Sequence, residues 1–470
     1  MTQAARSPEE TDVVVVGGGI TGLAAARDLA RAGARVTLVD PASPGGKVRT
    51  SPFDGALLDE SADAFLARVP DAVELCRELG IQGDLVAPGA RRAYVWSRGA
   101  LRLLPEGQVL GVPTDLDELA GSGILSPEGL ARARLDLEVP MQAPEDDVTI
   151  GALMRTRLGD EVADRLVDPL VGGINAGDTD HLSLAATVPQ LDAAARSGAS
   201  SLIEACRAQR AAVTDPSAPV FFAPRTGMGA LVDAVHGDAS ASGLVTVCGT
   251  AVGLERDGSR WRVSLLDGHV MRAAAVIIAT PAGVASALVG RHAPLAGSLL
   301  SDIPYASVAM ISIAVDRSAV DRDLDGSGFL VPRVESRAIT ACSWASSKWP
   351  HLAGGDAVWL RTSVGRDGDD RGTKLDDETL VQATLTDLAD TMSLRGAPRE
   401  VRVTRWPASL PQYRPGHLGR VAQIETDLAS AMPSVVVTGA AFRGLGVPAC
   451  IRQGRAAAQK VLTALSPHPG

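Results

Sequence analysis

The residues best suited to chemistry form a glycine pattern near the start of the chain, Gly17-x-Gly19-x-x-Gly22. Gly17 permits a tight turn, Gly19 lets backbone amides approach a pyrophosphate, and Gly22 lets a helix pack closely against a strand. Asp40 follows 18 residues after Gly22, where a carboxylate can accept hydrogen bonds from a ribose. The pattern predicts a dinucleotide site with contacts from Gly17, Gly18, Gly19, Ile20, Thr21, Gly22 and Asp40.

The segments around this pattern are those that position such a site. Residues 13–16 are four consecutive valines, a run typical of a buried parallel strand. Residues 20–32 are rich enough in Ala and Leu to form a helix, and residues 35–40 indicate a second strand that ends at the acid. Strand, helix and acid together favour a nucleotide site over the alternative, a purely structural glycine turn.

The composition limits the class of protein. The chain has 470 residues, 46% of them hydrophobic, so two or three domains with substantial cores are expected. A net charge of −10 provides no basic surface for nucleic acid. The five cysteines and seven histidines show no metal-ligand spacing. We therefore expect no metal site, and a reducing compartment, the cytoplasm.

Targeting and membrane signals are weak. The first ten residues lack the apolar core of a signal peptide. The longest uncharged run, residues 273–290, is nearly as long as a membrane span. Pro281 and Gly283 interrupt it, so a strand, turn and helix are favoured over a transmembrane helix. No membrane partner is predicted, although peripheral contact through the helical region stays open.

The cofactor domain is predicted to be discontinuous. Residues 11–90 contain the glycine pattern, residues 218–295 return to strands, and residues 425–465 add a short buried strand, a glycine loop and a last helix. A single N-terminal fingerprint combined with a late glycine loop favours FAD over NAD as a resident cofactor. The flavin would supply the redox chemistry, and the protein would orient the substrate.

The other segments complete the expected fold. Residues 91–113 and 296–424 are predicted to form a substrate-binding domain, and residues 114–217 a helical subdomain. The expected fold class is α/β, a discontinuous Rossmann-like FAD-binding domain with an inserted α+β substrate domain and a helical subdomain. Within it, the glycine-rich residues 169–178 suggest backbone close to a ligand, and residues 365–372 indicate an exposed loop.

Several stretches resemble the bacterial porphyrinogen oxidases, within the amine-oxidase-like flavoproteins. The resemblance covers nearly the whole chain, and its most specific parts are residues 173–178 and 443–448. The stretches are Val16-Gly-Gly-Gly-Ile-Thr-Gly-Leu23, Gly45-Gly-Lys-Val-Arg-Thr50, Asp63-Ala-Phe-Leu-Ala-Arg68, Leu158-Gly-Asp-Glu-Val162, Pro169-Leu-Val-Gly-Gly-Ile-Asn-Ala-Gly-Asp178, Leu182-Ser-Leu184, Pro189-Gln-Leu191, Arg405-Trp406-Pro407, Pro411-Gln-Tyr413, Gly416-His-Leu418 and Phe442-Arg-Gly-Leu-Gly-Val-Pro448.

The resemblance implies a reaction. It is the FAD-dependent, six-electron oxidation of coproporphyrinogen III to coproporphyrin III in haem biosynthesis, with oxygen as acceptor and hydrogen peroxide as product. Hydride would pass to the flavin N5, so no catalytic side chain is assigned, and the product could be handed to a ferrochelatase. Three alternatives stay open: protoporphyrinogen IX as substrate, an amine or carotenoid substrate, and a flavin-free or haem-binding or porphyrin-binding homologue without catalysis.

The resemblance also implies site residues. FAD contacts carry over to Gly17 through Gly22, Asp40, Gly46, Lys47, Ser61, Ala62, Asp63, Ala64, Val252, Leu445, Gly446 and Val447. The pocket over the flavin ring carries over to Gly173, Ile174 and Asn175. Because arginine forks suit propionates, the arginines near the first hairpin are candidates for them, against the alternative of ordinary surface residues. These are Arg91, Arg92, Arg98 and Arg102.

The chain departs from the family pattern around the phosphates. Ser43-Pro44 stands where an Arg usually precedes the double glycine, and Asp40 replaces a Glu. One phosphate contact is therefore expected to be missing, with lower FAD affinity. Ser61-Ala62 replaces Gly-Pro, and Val69 stands where a Lys is often found. In the terminal segment, Ala449 replaces Asp and Phe442 replaces Tyr.

Overall fold

The structure, a computed structural model, describes residues 9–213, 215 and 217–466. Its described part is built on two seven-stranded sheets. In the first, Glu9–Val16 lies between Val36–Asp40 and Val270–Ile278 and runs parallel to both. The other strands of this sheet are Val245–Cys248, Ala251–Asp257, Arg260–Leu265 and Val435–Val437.

Both faces of the first sheet are covered, which explains the run of valines. Val13 and Val15 pack into the core on one face, and Val14 and Val16 pack into the core on the other. Successive side chains of a strand point to opposite faces, so a strand buried on both sides is apolar throughout. The helices of this region are Ile20–Arg31, Pro70–Glu78, Gly229–Ala241, Ala282–Val289, Pro294–Ser301, His417–Ala431 and Val447–Leu465.

The first and last helices of this region cross at very short distance. A Cβ atom built on Gly454 would lie 2.2 Å from the carbonyl oxygen of Thr21, and one on Gly22 would lie 1.8 Å from that of Gly17. Only glycine permits these approaches. The expected close packing at Gly22 is confirmed, and the C-terminal helix is held directly against the fingerprint helix.

The second sheet is mainly antiparallel and includes the hairpin predicted near residue 98. Arg98 and Gly99 have φ values of 55° and 75°, as a two-residue hairpin turn requires. The strands, in spatial order, are Glu400–Pro411, Tyr305–Asp316, Ala357–Val364, Ile339–Trp344, Gly328–Leu330, Tyr94–Ser97 and Ala100–Leu103. The helices of this region are Ala345–Lys348, Arg371–Lys374 and Asp377–Met392.

Residues 114–213 are helical in large part, as predicted. Thr149 caps one helix, since its hydroxyl accepts a hydrogen bond from the Ala152 N–H at 3.1 Å. Ala163–Gly172 is a π-helix with Pro169 inside it, an uncommon conformation that is frequent at functional sites. The α-helices are Leu116–Ser122, Pro127–Arg134, Ile150–Leu158, Asp160–Val162, Gly173–Asn175, Leu184–Thr187, Pro189–Ala195 and Leu202–Ala211.

Short elements complete the described chain. The remaining strands are Thr50–Phe53, Ala56–Asp59, Phe65–Leu66, Leu85–Val86, Gln108–Val109, Val112–Pro113 and Phe221–Pro224. The 3-10 helices are Gln82–Asp84, Leu135–Leu137, Arg317–Ala319, Arg333–Glu335 and Pro350–Leu352.

The uncharged run at residues 273–290 forms the end of a strand, a turn and a helix, as predicted. Within the described part of the chain, none of the helices combines the length and the apolarity that crossing a membrane requires.

The prediction of an exposed loop at residues 365–372 is wrong at both ends. Gly365 and Arg366 are buried, and Gly372 is buried in the helix Arg371–Lys374. Gly365 has a φ of +98°, and a Cβ there would lie 2.6 Å from the carbonyl oxygen of Ser307. The glycine therefore lets the chain turn back against the strand Tyr305–Asp316, which a polar sequence pattern alone does not reveal.

The helix crossing predicts a clear stability effect. We expect Gly454→Ala to destabilise the protein by about 1–3 kcal/mol, because the added methyl group must push the two helices apart. The measurement is urea unfolding of the purified protein. Gly237→Ala is the matched control, since Gly237 is an exposed helical residue with open space around its Cβ position; it should stabilise by roughly 0.5–1 kcal/mol. Equal effects of the two changes would contradict the close crossing.

Candidate active site

The glycine fingerprint forms the turn between the strand Glu9–Val16 and the helix Ile20–Arg31. Gly19 is the N-cap of this helix, and no side chain caps it. A Cβ on Gly19 would meet no atom within 4 Å. The first-turn N–H groups of a helix have no partners within the helix and carry partial positive charge. The turn is therefore an open site for a phosphate.

Asp40 lies beside the fingerprint, as predicted. The Gly18 N–H donates to Asp40 Oδ2 at 2.6 Å, and the Ala42 N–H donates to Asp40 Oδ1 at 2.8 Å. The backbone of Asp40 also accepts a hydrogen bond from the Gly249 N–H at 2.9 Å. Val252 follows three residues later and is 52% exposed. The fold thus brings Asp40 and the segment before Val252 together.

The double-glycine loop packs on the fingerprint. The Gly45 N–H donates to the Gly18 carbonyl at 2.7 Å, and a Cβ on Gly46 would lie 3.2 Å from the Cα of Gly19. The next residue, Lys47, donates from Nζ to the carbonyl oxygen of Ser409. Burial lowers the pKa of Lys47. The loop therefore joins the fingerprint to the end of the strand Glu400–Pro411.

Residues 61–64 are joined to the second sheet and the helix beside it through charge. Lys348 Nζ lies 2.8 Å and the Arg361 guanidinium 3.2 Å from Asp63 Oδ2. Arg361 also donates to the carbonyl oxygen of Ser61. Burial alone would raise the pKa of Asp63, but the two cations outweigh it and lower the pKa to about 2. Asp63 is thus a fixed anion, and Ala62 and Ala64 flank it.

The terminal loop forms a second open helix N-terminus. It follows the strand Val435–Val437 and leads into the helix Val447–Leu465, whose N-cap is Gly446 with no side-chain cap. Because Glu9–Val16 and Val435–Val437 both run parallel to Val270–Ile278, the helices that follow them begin at the same edge of the sheet. Gly19 and Gly446 are therefore the caps of two helix N-termini that share one edge.

Two buried aromatic residues hold this terminal loop in place. Tyr413 Oη donates to the Ala440 carbonyl at 2.5 Å and accepts from the Gly444 N–H at 3.0 Å. His417 stacks on the Tyr413 ring at 4.1 Å and lies 2.9 Å from the Phe442 carbonyl through Nε2. Burial raises the pKa of Tyr413 and lowers the pKa of His417. Both side chains are therefore neutral, with Nε2–H of His417 as the donor.

Gln453 completes the support of the loop from the helix side. Its Nε2 donates to the Gly444 carbonyl at 3.0 Å, and its Oε1 accepts from the Arg443 N–H at 2.9 Å. Sequence reasoning quoted Tyr413 and His417 only within stretches of resemblance and assigned them no role. Their spacing of four residues was the one available signal, and it carries no information about a partner 30 residues later in the chain.

The segment predicted as the substrate pocket was expected to be a loop, but it is helical as far as Asn175: Gly173–Asn175 is a short α-helix that continues the π-helix. Asn175 Nδ2 donates to the Val171 carbonyl at 2.8 Å, and Gln412 Nε2 donates to the Asn175 carbonyl at 2.9 Å. Ile174 is 63% exposed, which is unusual for an isoleucine. Beside this segment is a narrow cleft. Its walls include Gly172, Gly173, Ala176, Val331, Gly365 and Arg366.

The four arginine candidates of the first hairpin lie elsewhere. None of them lines this cleft. Arg92 is exposed and pairs with Asp325 at 3.1 Å, Arg91 donates to the Ser217 carbonyl at 2.7 Å, and Arg102 donates to the Ser97 carbonyl at 2.9 Å. Arg98 is exposed at the hairpin turn. Their geometry agrees with the alternative of ordinary surface arginines.

The charge of Asp63 predicts a pH dependence of stability. A folded-state pKa of about 2 lies below the value of about 3.9 for an unfolded aspartate. The stabilisation is therefore present above pH ~4 and is lost as the pH falls toward about 2. We expect Asp63→Asn to cost roughly 2 kcal/mol at pH 7. The difference in unfolding free energy between Asp63→Asn and the wild type should shrink below pH ~4. A protonated carboxyl group and an amide are both uncharged.

Urea unfolding between about pH 7 and pH 3 measures this effect. Asp323→Asn is the control, since the side chain of Asp323 is 99% exposed and its replacement should change little at any pH. If Asp63→Asn lowers the free energy of unfolding by the same amount across the whole pH range, Asp63 does not have the lowered pKa.

Comparison with known proteins shows the family of the chain. The family model described as flavin containing amine oxidoreductase matches residues 20–462. Two relatives named coproporphyrinogen III oxidase, from Bacillus subtilis (strain 168) and Propionibacterium freudenreichii subsp. freudenreichii, are each 35% identical to the chain. Each alignment covers 96% of this chain, with 98% of the first relative and 91% of the second.

A solved structure supports the same assignment. The structure named "Putative protoporphyrinogen oxidase from Exiguobacterium sp. 255-15" superposes with a TM-score of 0.86 at 30% identity, over 97% of this chain and 99% of that one. The resemblance found in the motifs is thereby confirmed. The chain belongs to the flavin-containing amine oxidoreductases and, within them, to the family of the porphyrinogen oxidases.

Proposed function

We propose that this chain uses FAD and oxygen to oxidise coproporphyrinogen III to coproporphyrin III, with release of hydrogen peroxide. The observation that supports it most is the pair of uncapped helix N-termini, at Gly19 and Gly446, on one edge of the sheet. An elongated dinucleotide with a central pyrophosphate and a flavin ring at one end fits two such termini. The choice of substrate rests on the names of the relatives.

The residues of the site fit FAD. The backbone amides after Gly19 are free to bind the pyrophosphate, and no Cβ occupies the space at Gly19. The Asp40 carboxylate keeps lone pairs for a ribose beyond the two N–H groups that it accepts. Leu445, Gly446 and Val447 would hold the polar edge of the flavin ring, where a helix N-terminus favours negative charge.

The segments between these ends would complete the cofactor contacts. Gly46 and Lys47 pack beside the fingerprint, and Val252 would border the adenine. The Asp63 carboxylate is already bound by Lys348 and Arg361. Ser61, Ala62, Asp63 and Ala64 would therefore contact FAD mainly through their backbone.

When bound, the flavin supplies the hydride acceptor, so the chain needs no strong acid or base of its own. Tyr413 and His417 are neutral and serve to fix the loop at the flavin ring. Gly173 and Ile174 form a wall without bulky polar groups, on which a flat macrocycle can lie. Asn175 orients this wall through its bond to Val171. Positioning and exclusion of water are thus the main contributions of the protein.

Three further features belong to the proposal. The cytoplasm is the expected compartment, supported by five cysteines that are all free. The porphyrin product would pass to a metal-inserting enzyme, a ferrochelatase. The missing Arg before Gly45 is expected to lower FAD affinity, since Ser43 and Pro44 have no charge for the pyrophosphate.

The substrate preference is directly testable. We expect the purified holoenzyme to convert coproporphyrinogen III at least tenfold more efficiently, in kcat/KM, than protoporphyrinogen IX, because it gains charged contacts to additional carboxylates. Porphyrin fluorescence under air measures both reactions. Equal or better rates with protoporphyrinogen IX would assign the alternative substrate. A flavin-loaded protein that is inactive on both would indicate an amine or carotenoid oxidoreductase, and a protein without flavin absorbance, even after added FAD, a non-catalytic homologue.

The support of the terminal loop predicts a specific defect. Tyr413→Phe removes the hydroxyl that bonds to the Gly444 N–H and the Ala440 carbonyl, and both groups are part-buried. The loss should lower the free energy of unfolding by about 1–3 kcal/mol. We expect a lower melting temperature and a faster loss of bound flavin. The fluorescence of the released flavin measures this loss. Tyr94→Phe is the control, because the Tyr94 hydroxyl bonds only to the exposed Asp325. Unchanged flavin retention in Tyr413→Phe would contradict the role of this loop.

A further inference from the structure

Arg366 is a buried cation without a matching anion. It is 8% exposed, and its Nε atom is buried and has no hydrogen-bond partner. Among the residues that the structure describes, no carboxylate forms an ion pair with Arg366 within 4 Å. Its backbone, in contrast, is fixed by two hydrogen bonds with Asp369, at 3.0 and 2.8 Å. The side chain is thus held at a defined place without an evident structural partner.

The carboxylates around Arg366 are engaged with other groups. Asp369 pairs with Arg371 at 2.6 Å, and Asp367 pairs with Arg414 at 2.9 Å. Asp178 lies 3.6 Å from Arg333. Arg333 is itself a second cation near Arg366, and its charge adds to the effect of burial in lowering the pKa of Arg366.

Asp168 is the remaining acid whose charge acts on Arg366. Its charge opposes the lowering of the pKa of Arg366. Asp168 Oδ1 accepts hydrogen bonds from the Thr179 N–H and hydroxyl, at 3.3 and 3.2 Å. It therefore has its own partners, and it stays beyond ion-pair distance of Arg366. A buried charge that no group within contact neutralises is costly, and such sites persist where a ligand completes them.

Arg366 lines the cleft beside the predicted substrate loop. Gly172, Gly173 and Ala176 line the same cleft. The segments of Arg366 and Ala176 are tied together, because the Asp367 N–H donates to the Ala176 carbonyl at 2.7 Å. The cleft is narrow, with room for about one water-sized group. A ligand here would therefore place only a carboxylate inside the cleft and its ring outside, against Gly173 and Ile174.

We propose that Arg366 binds a propionate carboxylate of the porphyrinogen and anchors one edge of the macrocycle in the cleft. A guanidinium can bind a carboxylate through two parallel N–H donors, which fixes both position and orientation. This proposal rests on the proposed function and adds a substrate contact that the arginines of the first hairpin do not provide. The anchor lies in the turn that follows the strand Ala357–Val364 of the second sheet, so it would orient the substrate relative to a cofactor held by the first.

The test is binding of the reaction product to the holoenzyme. Coproporphyrin III and its tetramethyl ester, which lacks the carboxylate charges, are titrated by fluorescence in the same detergent solution. We expect Arg366→Gln to weaken binding of the acid roughly tenfold to a hundredfold, the range of hydrogen bonds to charged groups. Arg366→Gln should bind the ester with an affinity within about twofold of the wild-type value. Arg366→Lys should recover part of the loss, because it keeps the charge but not the fork.

Stability separates this role from a structural one. Because no ion pair is lost, the melting temperature of Arg366→Gln should equal or exceed that of the wild type. Arg395→Gln is the control, since Arg395 is an exposed arginine paired with Asp321 at 2.6 Å; it should bind both porphyrins as the wild type does. A lower melting temperature with equal loss of acid and ester binding would show a structural role and overturn the proposal.

The outcomes also separate this site from the proposed function. If the wild type binds coproporphyrin and oxidises coproporphyrinogen while Arg366→Gln binds the acid equally well, the carboxylate site alone is refuted. If the wild-type holoenzyme does neither, the proposed function fails, and the site at Arg366 fails with it.

Discussion

The structure depends most on the hydrogen bonds made by one short segment, from Trp406 to His417. It ends a strand of the second sheet and begins a helix that packs on the first. Its polar groups bond to four loops that are distant in sequence, those containing Glu60, Lys47, Asn175 and Gly444. One rigid segment thereby sets the relative positions of the cofactor loops and the substrate wall.

The order of the parallel strands brings two helix N-termini to the same edge of the first sheet. Two strands far apart in the chain lie on either side of Val270–Ile278 and run in the same direction. The helices that follow them therefore begin at one edge, with their unpaired N–H groups on the same side. The close crossing at Gly454 then fixes the second helix against the first. This arrangement suits a long cofactor with a pyrophosphate.

Asp63 and Arg366 are two charged side chains with different surroundings. Asp63 is a half-buried anion that two cations neutralise, and it ties the segment 61–64 to the second sheet. Arg366 is a buried cation whose neighbouring acids are engaged elsewhere. The first arrangement is complete within the chain and contributes to stability. The second is incomplete within the chain, and a carboxylated ligand would complete it.

Local pattern was enough for the sequence to predict the fingerprint turn, the two-sided burial of Val13 through Val16 and the Thr149 cap. Each of these depends on neighbours within a few residues, where periodicity and glycine chemistry act directly. The exposed loop at residues 365–372 was predicted wrongly, and Tyr413, His417 and Arg366 received no role. Tyr413 and His417 have partners 25 to 31 residues later in the chain, and the segment packed beside Arg366 contains Ala176. Sequence by itself therefore determined the fold class, the cofactor and the kind of chemistry, while only the tertiary structure decided which buried polar groups meet, because long-range packing sets those distances.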